Sequence, residues 1–164
     1  RSRRQRQMCI RDSINISSVG GLVGQPFNEI YCATKFGVEG YTEAMASYVQ
    51  PEFNIKFTLI EPGGIQSEFT NNVMAQLQST GGLKDDEYKP ILDSYLGGLK
   101  ENYGTGSSQT SEEVAIVILN TLEMEEPPIR TRTSDWSEAF TELKTQADPT
   151  GKEQQRRVVK LLGK

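Results

Sequence analysis

A chain of 164 residues, 35% hydrophobic and 24% charged, has the makings of one ordinary globular domain. Its net charge of −4 excludes a sequence-wide attraction for nucleic acid, and no apolar run approaches the ~20 residues needed to span a bilayer. The absence of histidine removes Ser-His-Asp hydrolysis, Cys-His proteolysis and histidine-ligated zinc together, and the two cysteines, Cys9 and Cys32, make no disulfide framework.

The first thirteen residues differ in character from the rest. They hold five arginines and one acid, which puts +4 there and −8 on the remainder of a chain whose net charge is −4. We expect this basic stretch to be disordered or foreign to the fold, with the domain proper at 14–164. A basic arm for an anionic partner and an Arg-rich transit segment are the other readings.

Residues 14–18 read as a short buried strand, followed by a glycine-rich loop, Val19-Gly20-Gly21-Leu22-Val23-Gly24-Gln25-Pro26. Small and apolar residues at three- and four-residue steps predict a helix over 28–49, ended by Pro51. Residues 55–61 predict a second buried strand and Pro62-Gly63-Gly64 a turn. A strand, a helix and a strand with a crossover of this length imply parallel pairing. Helices are then expected near 67–78 and 85–103, a flexible link at 104–110, and a helix from Ser111-Glu112-Glu113 to Leu122 that Pro127-Pro128 stops. Residues 129–133 read as a last polar strand, and 135–146 and 152–162 as two terminal amphipathic helices. Trp136, Phe140 and Leu143 would form the inner face of the first of these.

The chemistry concentrates around Tyr31-Cys32-Ala33-Thr34-Lys35. Residues four apart on a helix share a face, so the Lys35 ammonium can stand near the Tyr31 phenol. A phenol ordinarily has a pKa of about 10, and a neighbouring cation favours its ionised form, which makes a usable acid and base. Taken alone, a tyrosine and a lysine at this spacing are more often solvated surface. Ser18 lies at the end of the preceding strand, where the carboxyl edge of a parallel sheet meets its ligand crevice. Its hydroxyl can either bond a substrate oxygen or cap the loop.

The ordered set of Asn15-Ile16-Ser17-Ser18, the glycine loop, Tyr31-x-x-x-Lys35 and strand-Pro62-Gly63-Gly64 resembles the catalytic half of the short-chain dehydrogenase/reductase family. The likeness runs from about 14 to 69, and more loosely to the C-terminus. The sequences Ser18-Val19-Gly20-Gly21-Leu22, Pro26-Phe27-Asn28 and Tyr31-Cys32-Ala33-Thr34-Lys35-Phe36 are similar to the branch that holds the 17β-hydroxysteroid and retinol dehydrogenases. The resemblance implies an α/β fold: the C-terminal part of a Rossmann-like, doubly wound parallel sheet whose N-terminal half is missing.

The resemblance further implies an NAD(P)-dependent oxidoreductase acting on a small alcohol or ketone, a lipophilic one in that branch, with NADP slightly favoured over NAD. Tyr31 would be the general acid in reduction and the base in oxidation. Lys35 would lower the Tyr31 pKa and hold the nicotinamide ribose, and Ser18 would polarise the substrate oxygen. Pro62, Gly63, Gly64 and Ile65 match the family's turn beside the nicotinamide, with the backbone at Ile65 meeting the carboxamide. Ser67 stands where the family has threonine. Polar residues after Gly64, such as Gln76, Gln78 and Asp85, are odd linings for a steroid pocket.

Two departures stand out. The glycine-rich pyrophosphate turn, with the residue that selects NAD or NADP, is absent, and so is the family's asparagine before the Ser18 strand. The isolated chain is therefore expected to be inactive and to bind cofactor weakly or not at all. Cys32 reads as a packing residue rather than a nucleophile. The paired acids read as solvated surface, since no spacing repeats a known metal-ligand set. Family members pair through the helix bearing the tyrosine, and Gly40, Tyr41, Ala44 and Tyr48 suit such a face in a homo-oligomer. The alternative is a non-catalytic remnant acting through its surfaces. Without targeting signals or a membrane span, the location defaults to the cytoplasm.

Overall fold

A computed structural model describes residues 12–102 and 108–160. The expected basic segment falls almost wholly outside the described residues, as does most of the link at 104–110. Three strands, β1 (Ser13–Ile16), β2 (Phe57–Glu61) and β5 (Arg130–Arg132), form a parallel sheet in the order β1-β2-β5. A second, two-stranded parallel ribbon joins β3 (Gly64–Ile65) to β4 (Ser108–Gln109). The helices are α1 (Glu29–Phe53), α2 (Phe69–Ser79), α3 (Lys89–Asn102), α4 (Ser111–Glu123), α5 (Asp135–Thr145) and α6 (Lys152–Val159). The parallel pairing is the one that the strand-helix-strand order implies, and the α/β, Rossmann-like architecture is the one that the family resemblance implies. No helix among the described residues is long and apolar enough to cross a membrane.

The central strand, β2, is buried along its whole length, as a strand flanked on both edges and covered by helix requires. Leu59 and Phe57 join Ala46 and Val49 of α1 and Ile129 in the core, with Val38, Met45 and Ile55 packed around them. The register pairs Ile14 with Thr58 and Ile16 with Ile60, and Ser17 N–H continues the ladder to Ile60 O at 2.8 Å.

Pro51 does not end α1 as expected. The helix carries on to Phe53 and closes on Asn54, whose left-handed backbone (φ 53) lets its N–H reach Gln50 O. A proline so near the end removes one N–H bond, and the remaining turn is short enough to tolerate it. α4 ends at Glu123, before the two prolines, and begins with a capping box. Thr110 Oγ1 accepts from Glu113 N–H at 3.2 Å, and Glu113 accepts from Thr110 N–H at 2.7 Å.

The inner face of α5 also differs from expectation. Leu143 is 92% exposed, while Ser137, Thr141 and Thr145 are buried. Each of these three sits four residues from the next, and the Thr141 and Thr145 hydroxyls donate to carbonyls one turn back, so a polar stripe is satisfied without leaving the helix. Trp136 and Phe140 stack at 4.8 Å beside that stripe. Hydrophobicity alone misplaced Leu143 because small hydroxyls permit closer packing than leucine does.

The core and the cap differ in weight. Leu59→Ala is expected to lower unfolding stability by about 2–5 kcal/mol, through lost transfer energy and a cavity. Thr110→Ala should cost only about 1 kcal/mol. Urea unfolding of the two variants separates them, and equal losses would contradict the placement of the core.

Candidate active site

Because β1, β2 and β5 run parallel, their carboxyl ends meet at one edge of the sheet. β1 runs into Ser17 and Ser18, β2 into Pro62 and Gly63, and β5 into Thr133 and Ser134. Ligands of open α/β sheets bind along such an edge.

Ser18 is 7% exposed and caps the 3₁₀ turn at Val19–Gly21. Its Oγ accepts from Gly20 N–H at 3.1 Å and donates to Pro62 O over a long 3.4 Å. Val19 N–H donates to Pro62 O at 3.0 Å, which stitches the β1 loop to the turn after β2. The capping role weighed for this serine is thus present, in a position that also faces Tyr31.

The decisive residue for that position is Gly20. A Cβ there would stand 2.9 Å from Tyr31 Cε1 and 3.5 Å from Ser18 Oγ. Glycine lets the phenol ring lie against the serine loop, so ring and hydroxyl border the same space. Tyr31, in the first turn of α1, is 40% exposed. Lys35, one turn on, places Nζ 5.7 Å from the Tyr31 ring centroid and donates to Ile16 O at 3.0 Å. An ammonium has three donors, so two remain after that bond.

Gly63 is equally constrained, since a Cβ would come within 3.0 Å of the Trp136 ring and 3.1 Å of Ser137 Oγ. Gly64 and Ile65 lead outward as β3. Gln66 N–H bonds Gln109 O at 2.8 Å, and strand alternation turns the N–H and C=O of Ile65 away from β4. Gln109 also ties this ribbon to the end of β5, donating from Nε2 to Thr133 O at 2.8 Å. Ser67 accepts weakly from Phe69 N–H at 3.4 Å, at the start of α2. The fold therefore brings Ser18, Tyr31, Lys35, Pro62 and Gly63 to one place, with Gly64, Ile65 and Ser67 on its outward path. Cys32 is buried with Sγ toward Val23 O, as a packing residue would be.

Two residues at this edge were not singled out in the sequence. Glu39 (6% exposed) and Glu61 (0%) are buried side by side behind the serine loop. A signal for the first was the spacing of Tyr31, Lys35 and Glu39, each four apart on one helix face. Glu61 is an acid within a fully buried strand, directly before Pro62. Burial pushes the Glu61 carboxyl from its ordinary 4.5 up to about 8, the Glu39 charge adds to this, and Arg132 opposes it. Glu39 is raised too, by burial first and by Glu43, against the pull of Ser17, Glu61 and Arg130. Arg132 reaches Glu61 Oε2 at 3.3 Å, but its closer bonds, at 2.6 and 3.0 Å, go to Glu138.

Residues 12–78 match the short chain dehydrogenase family. The chain belongs to that family. Over 138 residues it is 35% identical to retinol dehydrogenase 8 of Bos taurus, covering 83% of this chain and 43% of the relative. Over 118 residues it is 35% identical to 17-beta-hydroxysteroid dehydrogenase type 1 of Homo sapiens, covering 72% of this chain and 35% of the relative. The chain spans less than half the length of these curated relatives, both from the branch that its loop sequences resemble. A crystal structure of a short-chain dehydrogenase from Streptomyces avermitilis shares the fold, with a TM-score of 0.60 at 22% identity over 95% of this chain and 54% of that one.

Stability should report the buried carboxyl directly. Between pH 4.5 and about 8 the folded chain holds a Glu61 proton that the unfolded chain has lost. The contribution is full below that window and lost as pH rises through it, at no more than about 1.4 kcal/mol per pH unit. The urea midpoint should therefore fall from pH 6 to 8 and then level off, and Glu61→Gln should flatten that slope. A wild-type midpoint that rises over this range would contradict the assignment.

Proposed function

We propose that the gene product carrying this chain is an NAD(P)-dependent oxidoreductase that interconverts an alcohol and a carbonyl through Ser18, Tyr31 and Lys35. The observation that carries this reading is the contact at Gly20, which sets the Tyr31 ring and the Ser18 hydroxyl around one space at the carboxyl edge of the sheet. Tyr31 Oη would give its proton to the carbonyl oxygen in reduction and take it from the hydroxyl in oxidation. The Ser18 proton would swing from its long contact with Pro62 O to the substrate oxygen, while Gly20 N–H continues to donate to Oγ.

The residues fit the nicotinamide and ribose end of the cofactor. Lys35 keeps two donors for the ribose hydroxyls, held in place by Ile16 O. The unpaired backbone edge of Ile65 suits the carboxamide, and Pro62, Gly63, Gly64 and Ser67 would line the same side. When bound, the cofactor supplies or accepts the hydride.

The substrate we infer is lipophilic. Phe69, Val73, Met74, Tyr88, Ile91 and Leu96 on and near α2 and α3 are exposed, an apolar surface on the segment that follows the site. The polar residues of that segment share it with these, so it is amphipathic rather than polar. The two curated relatives, named for retinol and for a hydroxysteroid, agree with that substrate class. The exposed Tyr41 and Tyr48 on α1 support assembly of copies through this helix.

Tyr31→Phe removes the proton donor and leaves the ring. In the gene product, turnover of a lipophilic ketone with NADH or NADPH should fall by roughly 10²–10⁴-fold with the unfolding midpoint unchanged. Undiminished turnover would assign the proton transfer to another group.

A further inference from the structure

Behind the serine loop, buried polar atoms lack partners in one place. Among the described residues, five buried side-chain oxygens are without a hydrogen bond, and four of them are Ser17 Oγ, both carboxylate oxygens of Glu39, and Glu61 Oε1. Their neighbourhood is fixed by Gly21, where a Cβ would come within 2.6 Å of Ser17 Oγ and 2.9 Å of Glu39 Oε1. Two adjacent ionised carboxylates, of whose oxygens Arg132 reaches Glu61 Oε2 alone at 3.3 Å, would be strongly unfavourable in this setting. One proton between them removes a charge and supplies a donor to the other oxygen.

The groups that face this pair come from each packed element. They are Ser17 from the loop, Glu43 from α1, and Arg130 and Arg132 from β5. Arg132 reaches one oxygen of Glu61 at 3.3 Å but bonds Glu138 of α5 more closely, at 2.6 Å, and Arg130 is held by Glu43 in an ion pair at 3.1 Å. Neither arginine is therefore free to neutralise two carboxylates.

The pair also touches the site's backbone at both ends. Ser17 precedes Ser18, and Glu61 precedes Pro62, whose carbonyl accepts from Val19 N–H and Ser18 Oγ. Gly21 rests on Glu39, and its N–H donates to Ser18 O at 2.8 Å. We propose that Glu39 and Glu61 are positioning residues for the active loop: they hold a single shared proton under residues 17–21 and so fix Ser18 against the Tyr31 ring. The inference rests on the reading of Ser18, Tyr31 and Lys35 as the reacting groups. Loss of the shared proton to solvent leaves two like charges, pushes Glu39 away from Glu61 and shifts the Gly20–Gly21 backbone that lies on it.

The test is a pH titration of the Gly20 and Gly21 amide signals in the ¹⁵N-labelled chain from pH 6 to 9.5. Both amides should move with a common midpoint near the value of about 8 that burial gives Glu61. Glu61→Gln and Glu39→Gln, which keep the shape of the pair and remove the shared proton, should each abolish that transition. Amides that stay still in the wild type, or that keep the midpoint in Glu61→Gln, would overturn the proposal. The wild-type titration stands by itself if a variant fails to fold.

Turnover separates this inference from the function on which it rests. In the active gene product the ratio of turnover at pH 9.5 to that at pH 7 should drop roughly tenfold or more, as expected when reacting groups are misplaced, and Glu61→Gln should flatten the drop. Amide titration in a protein with no turnover supports the carboxyl pair and removes the oxidoreductase reading. Turnover without amide titration does the reverse.

Discussion

The close approach of α1 to the loop after β1 is the contact on which the rest of this site depends. It exists because Gly20 and Gly21 have no side chains: one would strike the Tyr31 ring and the other Ser17 and Glu39. The same helix face carries Tyr31, Lys35 and Glu39 at four-residue steps, from half-exposed phenol to buried carboxyl. Parallel pairing of β1 with β2 then brings Pro62 O within reach of Val19 and Ser18. A serine and a tyrosine thirteen residues apart in the chain become neighbours through two glycines and one carbonyl.

This arrangement places polar groups where a fold would ordinarily put leucine. Glu61 lies in a strand whose five residues are all buried, and α5 packs inward with Ser137, Thr141 and Thr145. Hydroxyls on α5 satisfy themselves within the helix, and Arg132 bridges Glu138 to the sheet. Of the two glutamates, only Glu61 meets a cation, Arg132 at Oε2, and their remaining oxygens face each other and Ser17. Buried polar groups that are fully partnered specify geometry, and a shared proton is the least costly way to partner these.

Much of the fold was legible in the sequence because periodicity and punctuation agreed. Residues 14–18, the glycine loop and the helix after it were bounded by turn residues, and Phe57–Glu61 was a β-rich run before Pro62-Gly63-Gly64. Tyr31 and Lys35 could be placed on one helical face from spacing alone. On α5 the apolar pattern holds for Trp136, which packs on Gly63, and for Phe140 stacked on it, but not for the exposed Leu143, because the buried residues beside them are small and hydroxylated. Ser108 and Gln109 carry no strand pattern of their own, so the sequence shows a flexible link where pairing with β3 makes β4. Glu39 and Glu61 were legible only as charges, and nothing local marks a charge as buried. The Ser18 hydroxyl shows the same limit, since its cap and its place beside Tyr31 depend on Pro62, 44 residues away.

The most direct measurement follows the atoms of the reaction. The gene product would be incubated with a lipophilic ketone and nicotinamide cofactor deuterated at C4, and the alcohol product weighed by mass spectrometry. One deuterium is expected on the carbinol carbon, with the hydroxyl proton drawn from solvent through Tyr31. An alcohol without deuterium, from either face of the labelled cofactor, would contradict hydride transfer at this site, as would no alcohol from a protein shown to bind both cofactor and ketone.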